Sequence, residues 1–350
     1  MKRFFIYVII LSVGMWSTAS LLAQVGMNKV GQSTMNFLQV GVIPGASGMG
    51  NTYTAIGTGC ESIFFNPAGL PEMDSRFAAI MATTQWFADI NYMVGALAWN
   101  LGNLGTVGLS LLSVDYGDII WTGLAKDESD VLGYVEYGMV DNVGAYSFGV
   151  SYGRRITNQF SIGGNVRYVG QQLGESLFRH FSVDEETGIE TETSTLKKNS
   201  ESQVAFDMGV KFYPGLKSFR FGMSIRNFGP SIKYEEITAA LPLTFALGVA
   251  MDMMDLIVPD HSKDNSLLLS AEFIHQNNYT ERVNVGLEYK LIRLLSLRCG
   301  YQSNTDLAGF SGGIGVTLPS VGSRNIEVGY SYSVFDIFDG VNRFSLKVAF

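Results

Sequence analysis

The chain has 350 residues, of which 47% are hydrophobic and only 16% are charged, and its formal net charge at pH 7 is −8. Soluble globular proteins usually carry charged residues at about a quarter of their positions, so this composition disfavours an ordinary soluble protein. The negative net charge also argues against nucleic acid as a partner.

The first 23 residues have the layout of a secretory signal peptide. Two basic residues precede an apolar stretch over residues 4–15, and small residues flank two possible cleavage sites, after Ala19 and after Ala23. A membrane anchor is the alternative, but the apolar stretch is short for that role. We therefore expect residues 1–23 to be removed from an exported protein.

Residues 24–75 differ in pattern from the rest of the chain. Small residues dominate, apolar and polar residues do not alternate, and turn-forming pairs such as Pro44-Gly45 and Asn66-Pro67 recur. This pattern predicts a compact, irregular segment with one or two short helices.

From residue 76 onward, apolar and polar residues alternate with the period of a β-strand. No run of about 18 apolar residues follows the signal peptide, and apolar content supplied by alternation is typical of a barrel that faces lipid. We predict an all-β fold, a transmembrane antiparallel β-barrel of about 14 strands over residues 76–350. The predicted strands are 76–87, 90–100, 104–116, 142–155, 159–172, 203–213, 217–227, 242–252, 266–276, 280–290, 293–303, 310–318, 324–334 and 341–350.

The connections between these strands alternate in length. If the first strand runs outward, short turns such as 101–103 and 214–216 face the periplasm, although the turn at 253–265 is long. The long connections 117–141 and 173–202 then face the outside, as in bacterial outer-membrane barrels.

Both long connections are rich in acidic residues. A solvated loop surface explains them, and the alternatives are capture of a basic partner or a divalent-cation bridge to lipopolysaccharide. Outer-membrane lipid and lipopolysaccharide are the expected surroundings of the barrel. The acidic residues include Asp127, Glu128, Asp130, Asp184, Glu185 and Glu186.

The last strand separates its residues into two faces. Phe344, Leu346, Val348 and Phe350 share an apolar face, and the residues between them form the other, mostly polar face. A final strand that ends on an aromatic residue resembles the signal that the barrel-assembly machinery reads, so we expect that machinery to be a partner.

Several charged residues have the strand parity of the inner face. Arg or Lys facing lipid at mid-depth costs about 2–4 kcal/mol, so these side chains are expected to point into the lumen. We expect mixed ion pairs that fill the lumen; a polar permeation path is the alternative. The inward charges are Arg167, Asp207, Arg226, Glu272, Glu288, Arg298 and Glu327, together with Lys211, Arg220 and Lys347.

Enzymatic readings find little support in the sequence. Gly309–Gly313 fits a GxSxG pattern around Ser311, but a strand follows it where a nucleophile elbow needs a helix. The three histidines are dispersed and lack the spacing of a metal site. We expect no enzyme activity, no catalytic residue, no metal and no cofactor, and we expect Cys60 and Cys299 to remain unpaired.

Several segments resemble the PorV/PorQ family of outer-membrane proteins, which are related to the FadL long-chain fatty-acid transporters. The more specific matches are N-terminal: Phe37–Gly41, Pro44–Gly50, Thr54-Ala55 and Asn66–Leu70. Weaker matches follow at Trp86–Tyr92, Val114–Asp118, Ser151–Arg155, Arg226–Pro230 and the last strand. Together they cover essentially the whole mature chain.

This resemblance implies a fourteen-stranded barrel whose N-terminal segment folds into the lumen. We therefore call residues 24–75 the hatch. Asn66, Pro67, Ala68 and Gly69 would lie within it, either as a gate for a pore or as a structural turn, since Asn66 can cap the turn and Gly69 permits a positive φ.

The resemblance also implies a function. Members of the family with a known role serve type IX protein secretion, and one kind carries secreted proteins from the translocon to the attachment complex at the cell surface. The sequence therefore favours an accessory component of secretion or surface attachment in the outer membrane, which binds the translocon and secreted cargo proteins. A FadL-like channel for hydrophobic small molecules is the alternative.

Overall fold

The computed structural model describes residues 31–124, 133–183, 190–234, 237–258, 264–305, 308–318, 325–335 and 338–350. The predicted signal peptide lies outside the described residues. So do six of the acidic residues named above, at positions 127, 128, 130 and 184–186.

Fourteen strands form one closed antiparallel barrel in which neighbours in the wall are consecutive barrel strands, and the last pairs with the first. Two small hairpins, β4–β5 and β10–β11, stand outside this wall. The strands in the described residues are β1 Phe77–Gln85, β2 Asn91–Asn100, β3 Thr106–Asp115, β4 Ile120–Leu124, β5 Tyr134–Met139, β6 Val143–Thr157, β7 Phe160–Val183, β8 Glu190–Phe212, β9 Arg220–Phe228, β10 Ile232–Tyr234, β11 Ile237–Ala239, β12 Thr244–Asp252, β13 Ser266–Gln276, β14 Arg282–Leu291, β15 Leu295–Gln302, β16 Ala308–Leu318, β17 Asn325–Phe335 and β18 Val341–Ala349.

The predicted fourteen-stranded barrel is confirmed, and each predicted strand overlaps one strand of the wall. Strand parity also separates the two faces as expected, because side chains alternate across a strand. The exterior carries large exposed apolar side chains, among them Leu97, Trp99, Leu109, Leu111, Phe148, Val166, Met208 and Leu297.

The two long outer connections contain more strand than the sequence predicts. Strands β7 and β8 continue past the rim at Leu173, where β6 ends its pairing, as a hairpin of about ten residues a side, or roughly 30 Å. The connection 117–141 contains the hairpin β4–β5. Consecutive side chains of the hairpin β4–β5, such as Ile120 and Trp121, are both exposed, so this hairpin lacks the alternation by which half-buried strands are recognised.

The described part of the hatch crosses the lumen from the end with the long connections, which we call the extracellular end, to the end with the short turns, which we call the periplasmic end. Ser33 bridges to Ala240 in an outer connection, while Met73 leads into β1 at the end with short turns. In between it forms the short helix α1 (Pro44–Ser47) and the 3₁₀ helices Asn36–Gln39, Gly59–Phe64 and Pro67–Glu72. Turns between strands contain the 3₁₀ helix Gly102–Leu104 and the helix α2 (Met254–Ile257).

The described residues include no helix that is both long and apolar enough to cross a membrane.

The last strand closes the barrel against the first. Phe77 and Phe350 exchange two backbone hydrogen bonds of 2.8 and 2.9 Å, and their ring centroids are 5.0 Å apart. Phe344, Leu346 and Phe350 are exposed on the outer face, and Val348 shares that parity. The terminal aromatic residue therefore completes the final pair of the wall.

Deleting Phe350 is expected to lower the yield of assembled barrel several-fold, because it removes both the ring contact and the last backbone pair with Phe77. Phe350→Tyr keeps both and should assemble almost like the wild type. The heat-modifiable gel shift of outer-membrane fractions measures the assembled fraction. Equal assembled yields for the two variants would contradict a role for the terminal aromatic residue.

Candidate functional site

The hatch lies against a patch of the inner wall that lacks side chains. A Cβ atom placed on Gly163, Gly209 or Gly222 would collide with Pro67, Asn66 or Thr54 of the hatch. Gly286 and Gly300 meet the hatch backbone around Met49 in the same way. These glycines let the irregular backbone of the hatch approach the strands closely enough for hydrogen bonds.

Asn66 fixes the stretch Asn66–Gly69 to both hatch and wall. Its side-chain oxygen accepts from the N–H of Ala68 (3.1 Å) and caps the 3₁₀ helix, while its amide nitrogen donates to the carbonyls of Thr54 (2.9 Å) and Val210 (3.0 Å). Gly69 is not among the residues of positive φ, contrary to expectation. It is needed instead because a Cβ there would collide with the carbonyl of Gly57.

The two acidic residues within residues 31–73 both pair with lysines of the wall. Lys211 is fully buried and pairs with Glu72, which also accepts from the hydroxyl of Tyr213 at 2.8 Å. Lys347 pairs with Glu61 at 3.1 Å. A buried charge is costly unless it is paired, so these contacts hold the hatch in one position.

Other wall charges bind the hatch backbone. Glu272 is buried and accepts from the N–H (2.9 Å) and hydroxyl (2.7 Å) of Thr54, and Arg226 donates to the carbonyl of Phe64 at 2.9 Å. Arg343 donates to the carbonyl of Gly41 at 2.7 Å. Irregular backbone has few partners of its own, so the wall supplies them.

The remaining predicted charges pair along the wall. Arg167 and Asp207 are 2.7 Å apart, and Asp207 also accepts from the backbone N–H of Asn227. Arg298 on β15 forms ion pairs with Glu288 on β14 (2.6 Å) and with Glu327 on β17 (3.2 Å). All seven predicted lumen charges therefore point inward. Five of them pair with one another along the wall, and Glu272 and Arg226 contact the hatch.

Sequence reasoning missed the residues of the hatch that meet these charges. Glu61 and Glu72 are the only charged residues between positions 31 and 73. Two isolated acidic residues in an otherwise uncharged segment indicate that the wall holds cationic partners for them. Asn165, which donates to the carbonyl of Ile63 at 2.8 Å, had no such signal because uncharged polar residues are common on an inner face.

One open space lies above the hatch. A cavity of about 550 Å³ opens at the extracellular mouth, between the first described hatch residues and a rim of aromatic side chains. Trp86 and Phe335 pack there with ring centroids 5.3 Å apart, and Tyr92 and Tyr116 also line the cavity. A second cavity, of about 90 Å³, lies deeper and is lined by Arg167, among others.

The residues considered above as candidates for catalysis or metal binding lie as follows. Ser311 lies inside β16, where its hydroxyl accepts from the N–H of Gly50 at 3.2 Å. Within the described ranges, no group of three or more His, Cys, Asp or Glu residues is placed to hold a metal ion. Cys60 and Cys299 are both free, the first buried in the hatch and the second on the exterior.

Comparison with known proteins identifies a family and a fold. Residues 136–336 match the family model described as type IX secretion system membrane protein PorP/SprF. None of the curated proteins matches the chain.

Among solved structures, a FadL homologue from Pseudomonas aeruginosa is similar, with a TM-score of 0.55 and 12% identity, over 89% of this chain and 98% of that one. The toluene transporters TbuX of Ralstonia pickettii (TM-score 0.54, 11% identity, 88% and 97% covered) and TodX of Pseudomonas putida (0.56, 12%, 87% and 96%) are also similar. At these identities the likeness shows the fold.

Lys211→Met is expected to destabilise the folded barrel by about 3–5 kcal/mol, because it leaves Glu72 buried without its partner. The control is Lys198→Met, since Lys198 is 79% exposed and lies 3.7 Å from Glu175, and an exposed pair contributes about 0–1 kcal/mol. Urea unfolding followed by gel shift measures both. Equal losses would show that the Lys211–Glu72 pair does not hold the hatch.

Gly163→Val is expected to displace the hatch, because the added side chain would overlap Pro67. Gly164→Val is the matched control, since Gly164 lies one position on and faces outward. Cys60 reports the displacement: burial raises the pKa of its thiol to about 12, so the thiol is neutral and inaccessible in the wild type.

In a Cys299→Ser background, maleimide labelling of Cys60 should rise several-fold for Gly163→Val and stay at the wild-type level for Gly164→Val. Labelling that is the same in both variants would mean that the wall glycines do not position the hatch.

Proposed function

The chain belongs to the PorP/SprF family of type IX secretion system membrane proteins, and we propose that this outer-membrane barrel acts by binding partner proteins as an accessory component of secretion or surface attachment. The narrower role of a PorV/PorQ-type protein that serves the translocon and its secreted cargo is part of this proposal. The proposed role involves no catalytic step.

The observation that carries the proposal is the fastening of the hatch. At least six strands of the wall (β7, β8, β9, β13, β16 and β18) hold it through hydrogen bonds and ion pairs. These include the two lysine–glutamate pairs and the bonds from Glu272, Arg226 and Arg343. Moving it would break several buried charged contacts together, at about 3–5 kcal/mol for each pair that loses a partner. A lumen filled in this way suits a protein that works through its outer surfaces.

The outer surfaces offer sites for partner proteins. The hairpin β4–β5 exposes apolar side chains on the extracellular side, including Ile120 and Met139, at 52% and 62% exposure. The hairpin formed by β7 and β8 projects further from the rim. Exposed apolar side chains and free strand edges are features of protein-binding surfaces.

The alternative is a channel for hydrophobic small molecules. The cavity of about 550 Å³ at the extracellular mouth favours it, since this volume and its aromatic lining are in the range of small-molecule sites. The likeness to FadL-type barrels supports this alternative in fold alone. The two functions differ in whether the lumen has to open.

Planar-bilayer recordings separate the two functions. The accessory role predicts that the wild type conducts poorly and that removal of residues 24–75 raises the conductance several-fold, because about eight strands already reach the width that wall side chains can fill. Asn66→Ala should raise conductance partly if the Asn66–Gly69 stretch is a gate, and hardly at all if it only anchors the hatch. Equal conductance with and without residues 24–75 would exclude a plug formed by the hatch.

Purification from native membranes tests partner binding directly. Secretion-system proteins should co-purify with the wild type, and less of them with a variant in which residues 119–140 are replaced by a short turn. The conductance of that variant should not change. If the same amount of secretion-system proteins co-purifies with the variant, the β4–β5 hairpin is not the surface that binds them.

A further inference from the structure

The periplasmic end of the lumen carries a cluster of three cationic side chains, Arg155, Lys211 and Arg220, of which only Lys211 forms an ion pair with a described residue of the hatch. Neighbouring strands place Arg155, Ser161 and Lys211 side by side, because Arg155 pairs with Ser161 and Ser161 with Lys211. Lys211 pairs in turn with Gly222, and Arg220 lies two positions nearer the periplasm on the same face. Directly paired residues point to the same side of a sheet, so all these side chains face inward.

One carboxylate, Glu72, faces this cluster, and its bonds are already made. It pairs with Lys211 and accepts from the hydroxyls of Tyr213 at 2.8 Å and Ser161 at 3.4 Å. The buried lysine therefore neutralises it. Two guanidinium groups, Arg155 and Arg220, remain in the cluster without a carboxylate among the described residues.

Two further acidic side chains described at this end belong to different contacts. Asp252 accepts from the N–H groups of Met254 and Leu267, and Asp255 accepts from the N–H of Ser218. Neither lines the space in front of the two arginines.

The two arginines face an open cavity. It has a volume of about 360 Å³, and its lining includes Arg155, Arg220, Glu72 and the hydroxyl-bearing residues Thr58, Thr157 and Tyr213. This size is within the range of small-ligand sites. Guanidinium groups hold carboxylates through paired N–H donors, and the hydroxyl groups of Thr58 and Thr157 can supply further donors.

We propose that this cavity binds the carboxylates of an acidic peptide segment presented from the periplasm, with Arg155 and Arg220 as its ligands. Two guanidinium groups suit two carboxylates of one segment, and the open side of the cavity faces the compartment from which a peptide would enter. The inference rests on the proposed function in one respect, that the segment belongs to a protein partner. Binding here leaves the hatch in place.

The test uses the full-length mature protein in a neutral detergent and a fluorescent tetraglutamate peptide as the probe. Tetraglutamine is the matched uncharged peptide, and inorganic phosphate is the small-anion arm. The variants are Arg155→Gln, Arg220→Gln and their combination. Arg154→Gln is the control, because Arg154 is the preceding residue of β6 and faces outward.

Tetraglutamate is expected to bind, tetraglutamine is not, and the combined variant should weaken the peptide Kd by about tenfold or more, since two charge-assisted contacts are lost. Arg154→Gln should bind like the wild type. If the combined variant fails to give the heat-modifiable gel shift, the single Arg155→Gln variant, at an exposed strand end, carries the same comparison with a smaller loss.

Three results would overturn the proposal: equal binding of the two peptides, equal loss in Arg154→Gln, or binding of phosphate without binding of tetraglutamate. The third result would make the cavity a small-anion site. None of these results bears on the conductance of the barrel. The peptide-binding inference and the proposed function with a plugged lumen can therefore be disproved independently of each other.

Discussion

A closed wall of fourteen strands encloses more space than its own side chains can fill, and the structure depends on how that space is filled. The filling segment cannot be another strand, because the wall has no free edge left to pair with it. It is therefore irregular backbone, whose N–H and C=O groups need partners inside the lumen that the hatch fills. The inward side chains of the wall supply them.

The inner wall combines two kinds of residue for this purpose. Glycines such as Gly163 and Gly209 remove the side chains that would hold the hatch away, and charged residues between them reach past those gaps to its backbone. Glu272 and Arg226 illustrate the second kind, since each ends on the hatch rather than on a neighbouring strand. Close approach and hydrogen bonding require each other here, because a bond of about 3 Å forms only where the backbones can meet.

The two mouths of the lumen differ in chemistry. The extracellular mouth is lined by aromatic rings around Trp86, whereas the periplasmic mouth presents Arg155 and Arg220. The hatch separates them, so the two mouths differ in the side chains that they present. This arrangement suits a membrane protein that meets different partners on the two sides without passing anything between them.

The sequence by itself determined the barrel, because period-2 alternation is a local property that survives in every strand whose outer face meets lipid. It also determined which charges face inward, since parity along β7 or β15 fixes the side of the wall on which Arg167 and Arg298 lie. The extensions of β7 and β8 escaped it, because a run such as residues 190–200 is polar at nearly every position and has no apolar face to recognise. The tertiary structure alone decided the partners: Glu61 with Lys347, and Glu72 with Lys211, are 286 and 139 positions apart. Their pairing depends on the path of the hatch through the closed barrel, and no local pattern records that path.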